Sequence, residues 1–60
     1  RLDLISALES LPEHYREIVL LRDFHEMTIR EIAAQIQLTT SATKSRLRRA
    51  RQLVREYLLA

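Results

Sequence analysis

Apolar residues recur three or four positions apart along most of this 60-residue chain. Leu4, Ile5, Leu8 and Leu11 form the first such set, and Ile29, Ile32, Ala33 and Ile36 form a later one. This spacing places apolar side chains on one side of an α-helix, whereas a half-buried strand would alternate at every second position. No stretch alternates in that way. The sequence therefore predicts an all-α fold with no sheet.

The breaks between helices carry recognisable start signals. Pro12 ends the first helix and fits the first turn of the second, while Ser10 and Glu13 match an S-x-x-E capping box. Thr28 and Glu31 form a second box, T-x-x-E. A threonine, Thr39 or Thr40, is expected to cap the last helix. These signals predict four helices at about 2–10, 12–23, 28–36 and 40–59.

The last helix has two different sides. Its predicted core stripe consists of Thr43, Leu47, Ala50, Val54 and Leu58, with Tyr57 beside it. The opposite side is polar and basic, and comprises Ser41, Lys44, Ser45, Arg48, Arg49 and Gln52. A short helix, a three-residue turn and a longer helix with a basic outer side predict a helix-turn-helix at the C-terminal end of the chain. Because the chain has no glycine, Gln37 is expected to take the left-handed conformation at the turn.

The charges are unevenly distributed along the chain. Residues 1–37 contain four Arg against seven Asp and Glu, a net charge of −3. Residues 38–60 contain one Lys and five Arg against Glu56 alone, a net charge of +5. Such a basic helix predicts an anionic partner, and phosphate contacts by Lys and Arg would make its binding sensitive to salt.

Several classes of protein are disfavoured by the residues. Cysteine is absent, and neither His14 nor His25 has a strong metal ligand at helical spacing, so we expect no metal and no cofactor. The sequence shows no grouping of a nucleophile, a base and an orienting group, so it does not predict an enzyme. No apolar run approaches the length of a membrane span, so we expect no membrane insertion. A basic amphipathic helix can also lie on an anionic membrane, but this helix needs its apolar stripe for the core.

Sixty residues make one small domain. The chain starts with Arg1 inside an amphipathic pattern, and we expect it to be part of a longer protein.

Three motifs in order, LPEHYREIVLLRDF, T-x-x-EIA and KSRLRRAR, resemble region 4 of the sigma-70 family. The likeness is strongest to its extracytoplasmic-function (ECF, group 4) sigma factors and runs from about Leu8 to Leu59. The resemblance implies a bacterial, cytoplasmic transcription-initiation factor. Its region 4 would bind the promoter −35 element and the β-flap of core RNA polymerase, and an anti-sigma factor would be a further partner.

The resemblance also implies a set of DNA-binding residues. Lys44, Ser45, Arg48 and Arg49 stand at positions that face the −35 bases and nearby phosphates, with Arg46 and Arg51 as flanking phosphate contacts. Arg30 would reach the DNA backbone from the third helix, and Thr40 and Ser41 would offer helix N-terminal N–H groups to a phosphate. Ser41 and Ala42 replace the Gly-Thr usual in the family, Thr43 replaces a valine, and Glu26 and Gln37 replace glycines.

Two other functions remain open at this point. One is the DNA-binding domain of a LuxR-type response regulator, although SRLRRAR fits the sigma pattern better. The other is a protein-interaction module that an anti-sigma factor sequesters and that does not bind DNA when isolated. A surface that docks a partner helix is also open, and it would consist of Leu2, Leu4, Ile5, Val19 and Leu20.

Overall fold

The computed structural model describes residues 2–60 apart from the side chain of Leu2, whose predicted docking role therefore falls outside the described residues. The elements follow in the order α1 (Leu2–Ser10), α2 (Glu13–Val19), a π-helical continuation of α2 (Leu20–Phe24, the π segment), α3 (Ile29–Ile36) and α4 (Thr40–Leu59). The described residues contain no strand. The predicted all-α, four-helix domain with a C-terminal helix-turn-helix is confirmed.

The first capping prediction was wrong. Pro12 is itself the N-cap of α2, with φ −53° and ψ 148°, and no side chain caps this helix. The hydroxyl of Ser10 instead donates to the carbonyl of Ala7 at 2.6 Å, within the last turn of α1. Because the N-cap falls on Pro12, Ser10 lies two residues ahead of the position from which a capping box could form.

The second helical segment ends at Phe24, next to the expected end at about Asp23, but its last part has a different form. After Val19 the backbone winds into the π segment, where the N–H of His25 donates to the carbonyl of Leu20, five residues back, at 3.0 Å. Glu26 follows with φ 57°, in the left-handed region. The N–H of Met27 then donates to the carbonyl of Leu21 at 3.1 Å, which closes the loop that leads to α3.

The start of α3 follows the sequence closely. The hydroxyl of Thr28 accepts the N–H of Glu31 at 3.1 Å, and the carboxylate of Glu31 accepts the N–H of Thr28 at 2.8 Å. The predicted T-x-x-E capping box is therefore confirmed.

The core forms where α1, α2 and α3 all pack against α4. It consists of buried apolar side chains: Ala7, Leu8, Leu11, Ile18, Val19, Ile32, Ala33, Leu47 and Ala50. On α4, Thr43, Leu47 and Ala50 are buried as predicted, but Tyr57 and Leu58 are 45% and 46% exposed. The predicted apolar stripe therefore extends beyond the buried part of α4.

The docking alternative is only partly compatible with this core. Val19 is 6% exposed and packs in the core, so it is not available to a partner. Leu20 is half-buried against the same cluster. Leu4 and Ile5 are 39% and 47% exposed on α1.

Candidate nucleic-acid interface

A left-handed residue closes the turn between α3 and α4. Gln37 has φ 60° and ψ 45°, as the sequence predicted, and its N–H donates to the carbonyl of Ala33. The N–H of Leu38 donates to the same carbonyl at 3.0 Å. This arrangement satisfies a carbonyl at the end of α3 and reverses the chain, so that α4 begins after three residues.

Thr39, rather than Thr40, caps α4. Its hydroxyl accepts the N–H of Ala42 at 3.0 Å, while its carbonyl accepts the N–H of Thr43 at 2.9 Å. The same carbonyl also accepts the hydroxyl of Thr43 at 2.8 Å. The hydroxyl that replaces a valine methyl at position 43 thus has a partner, although Thr43 is fully buried.

The predicted DNA-binding residues lie mainly on the outer side of α4. Nine of them are exposed, namely Arg30, Thr40, Ser41, Ala42, Lys44, Ser45, Arg48, Arg49 and Arg51. Arg46 is half-buried, and Arg30 is the one member on α3. Because Ser41, Lys44, Ser45 and Arg48 are three or four residues apart, they share one side of the helix. That side is opposite the buried residues Thr43, Leu47 and Ala50.

Arg51 differs from the other members because a carboxylate engages it. Its Nε donates to Oδ2 of Asp23 at 3.3 Å, and its Nη2 forms a second, closer hydrogen bond to Oδ1. The two side chains are 46% and 38% exposed. The contact is therefore a two-point ion pair at the surface, and it joins α4 to the π segment.

Sequence reasoning missed Asp23. The pair spans 28 positions, far beyond the i,i+4 spacing at which charged partners are visible in a helical sequence. Asp23 also lies within the π segment, whose i→i+5 hydrogen bonding departs from the α-helical spacing on which the sequence reasoning relied. The local sequence carries no signal for this contact.

The capping box at the start of α3 also lowers the pKa of a carboxyl group. The backbone N–H of Thr28 lowers the pKa of the Glu31 carboxyl below its ordinary value, and the hydroxyl of Thr28 adds to the effect. Both contacts favour the ionised carboxylate. The capped turn contains Arg30, so the same contacts order the backbone that carries this residue.

The histidines and acidic residues form no metal site within residues 2–60, where no three of their side chains come together. His14 lies against the ring of Tyr15, with ring centroids 4.1 Å apart. No helix of this same stretch has both the length and the apolar character needed to cross a membrane.

A short helix, a left-handed turn and a longer helix with a basic exposed side define a helix-turn-helix domain of the kind that binds DNA. The family description "Sigma-70, region 4" matches residues 1–54. The chain therefore belongs to the sigma-70 region 4 family, and it is a sigma factor DNA-binding domain. The resemblance to the ECF type is confirmed, and the response-regulator alternative is set aside.

Three relatives show the same affiliation. The chain is 39% identical over 56 residues to the ECF RNA polymerase sigma factor SigE of Mycolicibacterium smegmatis, which covers 93% of the chain and 22% of that protein. It is 42% identical over 53 residues to the RNA polymerase sigma factor SigV of Bacillus subtilis, covering 88% of the chain and 32% of SigV. For SigZ of the same organism the identity is 34% over 53 residues, covering 88% of the chain and 30% of SigZ. The chain thus spans less than a third of the length of each relative. No solved structure matches it significantly.

Proposed function

We propose that this domain reads the −35 element of bacterial promoters with the N-terminal half of α4, as part of a longer sigma factor. The observation that carries the proposal is the exposed polar and basic side of α4, which starts directly after the helix-turn-helix turn. An α-helix with its side chains is about 10–12 Å across and fits a major groove about 12 Å wide. The buried stripe on the opposite side keeps that exposed side turned away from the core.

Lys44, Ser45, Arg48 and Arg49 are the proposed base-reading residues. Their spacing presents a row of donors along two turns of α4. Arginine donates two parallel hydrogen bonds to a guanine, and the serine hydroxyl can donate a hydrogen bond to a base edge or accept one. Ala42, at the start of the row, offers a methyl group to a thymine methyl. This is the position at which the chain lacks the usual threonine, so we expect its promoter preference to differ there.

The proposed phosphate contacts surround this row. They are Arg46, on α4, and Arg30, on α3. At the start of α4, Thr39 occupies the N–H groups of Ala42 and Thr43. The N–H groups of Thr40 and Ser41 therefore stay available for a phosphate at the positive end of the helix.

So few phosphate contacts give weak binding by the isolated domain, because each contact adds only a limited counterion release. A partner that supplies further affinity is therefore part of the proposal, and the names of the relatives support core RNA polymerase as that partner.

We place the β-flap of core RNA polymerase on the side formed by α2 and the π segment. A surface depression there combines leucines with polar and charged residues, and it is lined by Glu13, Arg16, Glu17, Leu20, Leu21 and His25. An anti-sigma factor would compete for the domain, and the protein would act in the cytoplasm without catalysing a reaction.

Run-off transcription with core polymerase and the full-length protein tests this function. We expect transcripts only from promoters that carry a specific −35 element, and their loss when that element is scrambled. A holoenzyme that assembles but ignores the −35 sequence would contradict base reading. Absence of both core binding and transcription would contradict the sigma function itself and leave the protein-interaction alternative.

A further inference from the structure

Two neighbouring residues of the π segment each hold one helix of the helix-turn-helix. Nη1 of Arg22 donates to the carbonyl of Met27 at 2.8 Å, one residue before the N-cap of α3. The carboxylate of Asp23 accepts two hydrogen bonds from the guanidinium of Arg51 on α4. The π segment also packs against α3. It therefore contacts both helices of the motif from one short stretch of backbone.

We propose that the π segment anchors α3 and α4 relative to each other, and that Arg51 is a positioning residue held by Asp23 rather than a phosphate contact. This inference rests on the proposed DNA reading by α4. The planar guanidinium and the carboxylate meet at two points, which restrains direction as well as distance. The buried stripe fixes which side of α4 faces outward, and a pair of this geometry restrains the smaller rotation that remains about the helix axis. This rotation adjusts which side chains face the bases.

The ion pair also removes Arg51 from the charge available to DNA. Asp23 neutralises the guanidinium and occupies its Nε and Nη2 donors. A phosphate that took these donors would have to displace a carboxylate already fixed on the same domain. Arg48 and Arg49 are exposed one turn or less away on the same helix.

The backbone of this region supports a functional role for the anchor. π-helical turns are rare and occur often at functional sites. Glu26, two residues after the π segment, has φ 57°, a conformation that is unfavourable for a residue with a Cβ. The π segment and the left-handed Glu26 thus lie together within residues 20–26, the stretch from which Arg22 and Asp23 make their contacts. Such features persist where the surrounding contacts fix them.

The test uses holoenzyme assembled from core polymerase and the full-length protein, with promoter affinity measured over a range of salt concentrations. Arg30→Gln serves as the comparison for an exposed residue that is proposed to contact a phosphate, and Arg55→Gln as the control for an exposed arginine on α4 outside the DNA-binding set. Each lost phosphate contact reduces the slope of log affinity against log salt by about 0.9. We expect Arg51→Gln to leave the slope unchanged.

Affinity and base preference complete the test. Exposed ion pairs contribute about a 1.4- to 5-fold change in an equilibrium constant. We expect Arg51→Gln and Asp23→Asn each to lower promoter affinity by a factor in that range, and the double variant to lose no more than either single variant. In these two single variants and in the double variant, the preference for the selected −35 element over DNA with single-base changes should fall at several base positions. The reason is that the rotation of α4 is less restrained without the ion pair. Arg51→Lys should recover part of the affinity.

The outcomes separate the inference from the proposed function. If Arg51→Gln reduced the slope of log affinity against log salt by about 0.9, Arg51 would contact a phosphate directly. That result would overturn the inference and leave the proposed promoter reading intact. Additive losses from Asp23→Asn and Arg51→Gln would overturn it equally. If the wild-type holoenzyme showed no dependence on the −35 sequence, the proposed function would fail and the inference with it.

Discussion

The carbonyl oxygen of Thr39 accepts two hydrogen bonds from Thr43, one from its N–H at 2.9 Å and one from its hydroxyl at 2.8 Å. Thr43 is fully buried among the apolar residues of α4. The second bond therefore accommodates a hydroxyl at a position where the family usually has a valine. The same bond joins Thr39, the N-cap of α4, to Thr43, which lies in the buried stripe one turn further along the helix.

Thr43→Val should leave the free energy of unfolding unchanged or raise it by up to about 1 kcal/mol. The lost hydroxyl bond leaves the Thr39 carbonyl satisfied by the remaining N–H, while a buried methyl group replaces a polar one. Thr43→Ser keeps the hydroxyl but removes the methyl, and should lower the free energy by about 1 kcal/mol. Urea unfolding followed by circular dichroism measures both. A larger loss for valine than for serine would show that the hydroxyl bond matters more than the packing.

Gln37→Gly should raise the free energy of unfolding by up to about 1 kcal/mol. The left-handed conformation, with φ 60°, is unfavourable for glutamine but not for glycine. Part of the gain is offset because glycine gives the unfolded chain more freedom. Gln35→Gly is the matched control on α3, where glycine should instead cost about 1 kcal/mol. Equal losses at both positions in urea unfolding would argue against the left-handed turn.

Glu31 should make the stability of the domain depend on pH in the acidic range. Its folded-state pKa lies below the ordinary value of 4.5 because the backbone N–H and hydroxyl of Thr28 favour the carboxylate. A lowered folded pKa means that the stabilisation is fully present above the unfolded pKa and is lost as pH falls through the folded one. Glu31→Gln keeps a capping acceptor that does not titrate. The stability difference between the two proteins should therefore change below about pH 4.5 and stay constant above about pH 6.

Thr28→Ala separates the two causes of that shift. The variant removes the hydroxyl but keeps the backbone N–H, which makes the larger contribution to the lowered pKa of Glu31. We expect the acid-dependent loss to persist in reduced form, measured by urea unfolding at a series of pH values. Its complete disappearance would mean that the hydroxyl, and not the backbone, holds the carboxylate.

Features encoded within a few residues could be predicted from the sequence. The T-x-x-E box at Thr28, the left-handed Gln37 and the capping threonine all depend on contacts at most four residues apart. The basic side of α4 followed from helical periodicity alone. Such features are predictable because the residue types and the backbone that they stabilise are adjacent in the chain.

Features that depend on how the helices meet could not be predicted in this way. The pairing of Asp23 with Arg51 needs the π segment and the packed fold, which have no local signal. Leu58 is exposed although it lies on the helical stripe, because the stripe does not show how much of α4 the other helices cover. Ser10 failed as a cap because Pro12 took the N-cap position, and the sequence pattern does not decide between two N-caps that lie two residues apart.

Arg49→Ala should relax the promoter preference at one base pair of the −35 element. Arg49 is exposed in the proposed reading row, and a two-point contact from arginine to guanine is worth about 1–3 kcal/mol of discrimination. Binding of holoenzyme to a promoter library with every single-base change measures the effect. Arg55→Ala, on the same helix but beyond the row, should leave the preference at every position as in the wild type. Equal losses of affinity on all library members for Arg49→Ala would assign Arg49 to a phosphate instead of a base, because phosphate contacts carry no sequence information.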